Sequence, residues 1–315
     1  MIKKSLTQKA IYLFWYKLEE GCGNFGDELN KYIVEKLSTN KVVYVPQIYL
    51  TTSKIKLVYL FAKNNILKIE PPNKLNYLLL FNKITFGIGS ILSWYTVKNC
   101  IVWGSGIMNK NAKIFPANFL AVRGKHTQQR ISEIGYTPPK VIGDPALLLP
   151  IIYTPQKSNR KNIGIIPHFK HYNEVSAKFK NDQNIVIINL LDDIEKIINQ
   201  INSCYITLST SLHGIIVSHA YSVKSLWVEL SEINIGGDNI KFYDYFSSVD
   251  ILEYKPFRVE NKDNIDFIIK NICIHDHLLL PKVDLVKIQS NLLSVAPFQL
   301  KKEYYSILSF FQKKL

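Results

Sequence analysis

The chain has 315 residues, 47% of them apolar, with a net charge of +14. That length suits two ordinary domains, and that apolar fraction excludes wholesale disorder. No apolar run is long enough to span a bilayer, and the lysines are scattered without an arginine-rich stripe, which places nucleic acid last among partners.

The first predicted element is a strand over residues 11–16. It follows lysines, as the core of a signal peptide does, but it is too short and lacks a small-residue cleavage site. A cytoplasmic location is the resulting expectation, and the basic charge adds an expected attraction to the inner face of a membrane. A helix over Asp27–Leu37 opens on an acidic residue that suits its dipole. Further strands are predicted near 41–45, 84–88, 100–103, 118–122 and 140–142. The stretch 46–82 is ambiguous, with helices padding the first domain as one solution. A helix from Lys125 to Ile134 stops at Gly135, a suitable C-terminal cap.

Pro150, Tyr153-Thr154-Pro155 and the polar run 156–162 read as a linker. The pattern then restarts, with strands near 163–167, 185–189, 204–208 and 225–229. Helices are predicted near 173–180, 192–202 and 212–221, and again beyond residue 260. The amphipathic tail 302–313 is expected to pack back on the first domain. Such alternation predicts an α/β protein with two Rossmann-like domains, their mainly parallel sheets facing a cleft. The boundaries expected are 1–155, 156–300 and a C-terminal helix over 301–315. Ligands in such folds sit at the carboxyl ends of the strands.

The four cysteines, Cys22, Cys100, Cys204 and Cys273, form no CxxC pair. They read as small buried hydrophobes in a reducing compartment. His171, His219 and the run His275-Asp276-His277 lack metal-ligand spacing, so no metal is expected. His168, just after a strand, is placed to reach the cleft.

The most informative run is Ser209-Thr210-Ser211-Leu212-His213-Gly214, between a strand-like segment and an apolar helix. A helix start offers unpaired N–H groups and a positive dipole end to an anion. A histidine in that first turn moves protons near neutral pH. The residues alone therefore point to proton transfer beside a bound anion. Asp27 and Asn24, with Gly23 and Gly26, form a loop open to close ligand approach; Asp27 either accepts hydrogen bonds there or caps its helix. Gly104-Ser105-Gly106 form a second turn after a strand, either lining the cleft with N–H groups or merely turning the chain. Asp144, before Pro145, reads as a residue that fixes the domain junction.

These pieces resemble a known family. The 209–214 run, Ser225 to Glu229, Gly237-Asp238 and Lys241 to Phe246 are similar to the C-terminal half of the polysaccharide pyruvyl transferases. Gly23 to Leu29, Gly87 to Ser90, Val102 to Gly106, Val122-Arg123-Gly124 and Gly143-Asp144-Pro145 follow the family order. The resemblance implies a glycosyltransferase-B-like arrangement and transfer of a pyruvyl group from phosphoenolpyruvate to a saccharide, free or lipid-linked. A cyclic ketal forms on a surface polysaccharide or its precursor, and phosphate leaves. Phosphoenolpyruvate is then the donor substrate, and no further cofactor is implied. The resemblance makes His213 the acid and Arg123 a donor contact, with Ser211, Leu212, Gly214, Lys241, Ser105 and Gly106 around the donor. Asn24 and Asp27 fall on the acceptor side. Many relatives carry arginine where this chain has Ser211, so Ser211 and Lys241 are expected to replace that contact. A nucleotide-sugar glycosyltransferase, with Glu229 after Trp227 contacting the nucleotide, is the second reading. An inactive saccharide-binding subunit is the third.

Overall fold

The structure, a computed structural model, describes residues 10–17, 23–69, 74–95, 99–179, 182–230 and 236–305. The first sheet contains β1 (Ile11–Phe14), β2 (Val42–Tyr44), β3 (Ile84–Phe86), β4 (Cys100–Trp103), β5 (Asn118–Val122) and β6 (Val141–Ile142). All its pairings are parallel, in the order β2-β1-β3-β4-β5-β6. The second sheet contains β7 (Asn162–Ile166), β8 (Ile185–Ile187), β9 (Cys204–Ser209), β10 (Lys224–Glu229) and β11 (Phe257–Arg258). It too is parallel, in the order β11-β10-β9-β7-β8. The protein is thus an α/β chain consistent with two Rossmann-like domains. Each sheet reverses its strand order once, between β1 and β3 and between β7 and β9, and a doubly wound sheet opens its binding crevice at such a switch point.

Buried parallel strands read as nearly continuous apolar runs, and Ile-Tyr-Leu-Phe at β1 is buried throughout. The helices in chain order are α1 (Phe25–Leu37), α2 (Lys54–Phe61), α3 (Lys74–Phe81), α4 (Lys125–Glu133), α5 (Leu149–Ile152) and α6 (Tyr172–Phe179). They continue with α7 (Ile194–Asn202), α8 (Leu212–Ala220), α9 (Ile240–Ser248), α10 (Lys262–Lys270), α11 (Ile272–Leu279) and α12 (Leu285–Ser294). Ile197, Ile198 and Ile201 fall on one stripe of α7 and are buried, as a 3.6-residue period requires. α8 is apolar on nearly all sides and is accordingly a central helix, with only His213 reaching partial exposure.

Of the expected linker, residues 153–161 carry no regular structure, whereas Pro150 lies in α5 and Asn162 opens β7. Gly135 follows α4 with φ +92°, the left-handed backbone that a C-terminal cap needs. The described part of 46–82 forms a 3-10 turn (Gln47–Leu50), α2 continued by a π-helical turn (Ala62–Ile66), and α3, with α2 and α3 packed as a hairpin. α9 and β11 were not anticipated. The return of the C-terminal chain onto the first sheet begins earlier than expected, at α12. There Trp103 Nε1 donates to the Leu292 carbonyl (2.9 Å) and Gln289 Nε2 to the Leu147 carbonyl (2.8 Å). Leu300 then bridges to Ser38, and Tyr304 is buried. Residues 306–315 of the predicted tail helix, and Cys22, lie outside the described residues. Cys100 and Cys204 are buried free thiols, pushed up to about 12 and about 11 by burial. Among the described residues no helix is long and apolar enough to cross a membrane.

Candidate active site

α1 begins at the switch point of the first sheet and α8 at that of the second, and the two helix starts touch. Nδ1 of His213 lies where a Cβ on Gly26 would stand, so only glycine lets the ring in. On its other side, His213 Nε2 is 3.7 Å from Oδ2 of Asp144, which is wholly buried after β6. Neither atom has a hydrogen-bond partner. Asp144 Oδ1 is occupied, accepting from the Ala146 N–H (2.9 Å).

Asp27 completes this corner. Burial is the main reason its carboxyl is raised from 3.8 to about 6, with His213 and the Asn24 amide pulling the other way. Asn24 Nδ2 donates to Asp27 Oδ2 at 3.3 Å. Asn30 holds the corner in place: its Oδ1 accepts from the Ile88 N–H (2.7 Å), and its Nδ2 reaches the Ile88 carbonyl (3.0 Å) and the Asp27 carbonyl (3.1 Å). One buried amide thereby ties α1 to the loop after β3. It sits between Leu29 and Ile33 on the apolar face of α1, a polar residue at a core position, which is the signal that sequence reasoning passed over.

At the start of α8, the Ser211 hydroxyl makes no capping bond. Ser209 takes that task, its Oγ accepting from the Ser211 N–H (3.0 Å). Ile215 is the first N–H to bond back, to the Ser211 carbonyl (3.2 Å), so the N–H groups of Leu212, His213 and Gly214 have no acceptor within the helix. The side chains at Leu212 and Gly214 do not face the cleft. Leu212 is in the core, and Gly214 lies against Ser209 and Ile166. Their contribution to a ligand is therefore backbone.

Lys241, in the first turn of α9, is brought towards His168. Burial, with Arg123 nearby, lowers the lysine to about 8. Burial and Lys241, with His171 and Lys170, lower His168 to about 4, so that imidazole is neutral. The His168 N–H donates to Thr210 Oγ1 (2.7 Å), which fixes it beside α8. No carboxylate among the described residues pairs with Lys241. A desolvated ammonium without a counter-ion gains from any anion that enters.

Arg123, expected as a donor contact, is engaged within the protein. It is wholly buried, and its Nε, Nη1 and Nη2 donate to Asp244 Oδ2 (3.0 Å), Ser90 Oγ (2.7 Å) and the Ile107 carbonyl (2.8 Å). These bonds use three of the five guanidinium N–H groups. Asp244 is also bound by the Thr127 N–H (2.8 Å) and hydroxyl (2.7 Å). A Cβ on Gly124 would collide with the Asp244 carbonyl, so α9 crosses the start of α4 at a distance only glycine permits. The Arg-Gly and Lys-x-x-Asp pieces of the sequence are thereby one contact.

Ser105 and Gly106 are likewise engaged internally. Ser105 Oγ donates to the Gly87 carbonyl (2.7 Å), and the N–H groups of Gly104 and Gly106 donate to Ala121 (2.9 Å) and Gly89 (3.0 Å). They brace neighbouring strand ends instead of offering N–H groups to the cleft.

The matched region spans all of these elements up to β10: the family model described as polysaccharide pyruvyl transferase fits residues 24–232. The chain belongs to this family. It is also 27% identical over 296 residues to "Uncharacterized protein L143" of Acanthamoeba polyphaga mimivirus, covering 88% of this chain and 86% of that protein. Family membership supports pyruvyl transfer to a polysaccharide. Trp227, which precedes the Glu229 of the nucleotide-sugar reading, is buried and stacks on Phe242 at 4.1 Å. Glu229 beyond it is exposed. His219, expected to be structural or solvent-facing, is buried, with Nδ1 3.0 Å from the Tyr245 hydroxyl.

Proposed function

We propose that the protein transfers a pyruvyl group from phosphoenolpyruvate to a sugar of a cell-surface polysaccharide or its precursor, forming a cyclic ketal and releasing phosphate. The observation that carries this reading is the unpartnered His213–Asp144 pair, with the partly buried Lys241, which no described carboxylate pairs, near His168 and Arg123. A donor with a carboxylate and a phosphate needs fixed positive charge and free N–H groups. Lys241 and the first turn of α8 supply both.

In this reading Asp144 engages Nε2 and leaves Nδ1, on the Gly26 side, to carry the proton. His213 protonates the methylene carbon of the donor, which becomes a methyl group, and positive charge develops at the adjacent carbon. A sugar hydroxyl adds there, and its proton restores the imidazolium. A second hydroxyl displaces phosphate, which leaves with that hydroxyl's proton. Two C–O bonds form and one breaks, with no oxidant or reductant. Asp27 and Asn24 stand on the acceptor side, where their oxygens accept from sugar hydroxyls. Arg123 acts by position, holding Asp244 and the start of α4.

The test is incubation with phosphoenolpyruvate and β-galactoside, N-acetylglucosamine or N-acetylmannosamine acceptors. The readouts are free phosphate and an acid-labile pyruvylated product by mass spectrometry. His213→Gln is expected to remove product yet keep the donor-induced rise in melting temperature. Full activity in His213→Gln, or stabilisation by nucleotide sugars and none by phosphoenolpyruvate, would overturn the reading.

A further inference from the structure

Outside the cleft, the exposed large apolar side chains are not spread evenly. Nine of the fifteen among the described residues fall between Ile48 and Phe81. Ile55, Val58 and Tyr59 share one face of α2 at i, i+3 and i+4, with Ile55 85% exposed. Ile66 and Leu67 follow at the turn, and Phe81 projects from α3 at 73% exposure. Phe61 and Tyr77 rings meet at 5.2 Å, as do Tyr77 and Phe81, which joins the two helices into one surface. The opposite face is ordinary core, with Leu57 and Leu79 buried. A soluble surface rarely gathers this much apolar area without a partner.

The charge around the patch selects the partner. Residues 46–83 contain six lysines and one acid, Glu70. Lys54, Lys56, Lys68 and Lys74 are exposed beside the apolar side chains. Two copies meeting through this face would bring like charges together, whereas an anionic bilayer complements them. Lysine stems and tyrosine rings both suit a lipid–water boundary. We propose that the α2–α3 hairpin is a docking face for an anionic lipid surface, with its apolar side chains entering the headgroup region and its lysines on the phosphates. No helix crosses the bilayer in this arrangement, and it stands independently of the reaction assigned to the cleft.

The full chain would be sedimented with vesicles of phosphatidylcholine alone and of equal parts phosphatidylcholine and phosphatidylglycerol. Binding is expected to the anionic vesicles only. An Ile55→Ser/Phe81→Ser variant is expected to lose at least about tenfold in partitioning. Lys54→Gln and Lys56→Gln should each lose about fivefold. Leu252→Ser/Ile274→Ser, which removes exposed apolar groups elsewhere, should bind like the parent. Melting temperatures of all variants check folding. The proposal is overturned by equal binding to both vesicle types or by undiminished binding of the Ile55→Ser/Phe81→Ser variant. It is overturned equally by a dimer in light scattering that this variant dissolves while the parent ignores vesicles.

Discussion

His213 Nε2 and Asp144 Oδ2 face each other at 3.7 Å, each buried and each without a hydrogen-bond partner. The two residues come from different sheets, one at the start of α8 and the other after β6. Two buried polar atoms left unbonded at this range cost stability unless something else repays them. In the proposed reaction, orienting the imidazole for proton transfer offsets that cost.

Asp144→Asn tests that division of labour. The amide oxygen still accepts from the Ala146 N–H, so the fold survives. Without the carboxylate, kcat for ketal formation is expected to fall about tenfold to a hundredfold, with KM for phosphoenolpyruvate little changed. Steady-state phosphate release measures both.

Gly26→Ala places a methyl group in the space of the His213 ring. The ring must turn away, so activity should drop by at least about tenfold, while the melting temperature changes much less than for a core truncation. A variant as active as the parent would show that the ring's position against α1 is irrelevant to turnover.

Arg123 and Asp244 form a wholly buried pair that joins α4 and α9. Arg123→Met strands a carboxylate and should cost about 3–5 kcal/mol in urea unfolding. Adding Asp244→Asn to that variant is expected to recover part of the loss, because the stranded charge disappears. Additive losses would mean that the two side chains do not act as a pair.

Asp27 gives a pH signature. Its carboxyl lies near 3.8 when solvated and near 6 in the folded protein, chiefly because it is buried. Below pH 4 both states carry the proton and nothing is lost. As pH rises through 6, the unfolded state ionises first and the folded state loses on the order of 2–3 kcal/mol. Asp27→Asn should therefore raise stability at pH 7.5 and leave it nearly unchanged at pH 4. Melting curves of the two proteins at both values provide the comparison.

Lys241 predicts proton uptake. Burial lowers it to about 8, so at pH 8.5 much of it is neutral. An anionic donor restores the charge, and calorimetry in two buffers of different ionisation enthalpy should register up to about three-quarters of a proton taken up at that pH. Lys241→Gln should abolish the uptake and weaken donor binding about tenfold or more.

Much of this architecture was legible in local pattern. The apolar runs at β1, β4 and β9 and the isoleucine stripe of α7 each follow from periodicity within a few residues. α9 was not, because its Lys-Phe-Tyr-Asp-Tyr-Phe run carries aromatic residues with weak helical preference, and what buries Phe242 is Trp227 of β10. The site divides the same way. His213 was visible as chemistry at a helix start, whereas Lys241 was named only through the family resemblance, since the helix it opens was not foreseen. The pairing of Arg123 with Asp244 joins residues 121 positions apart, and no spacing within the sequence announces it. The partnership of Asp144 with His213 was hidden for the same reason, and Asp144 could be read only as a junction residue.

α12 has a wider consequence. It is the last long helix among the described residues, yet it supplies the acceptor for Trp103 and the donor for Leu147, and Ile288 fills the space beside Gly143. The first sheet is therefore finished by residues that follow the whole second sheet in sequence. Cutting the chain in the 153–161 segment would leave an indole N–H without its acceptor and an apolar seam bare. For all its two-sheet plan, the protein is laced together rather than strung in tandem: the thread that closes the first sheet leaves from the far side of the second.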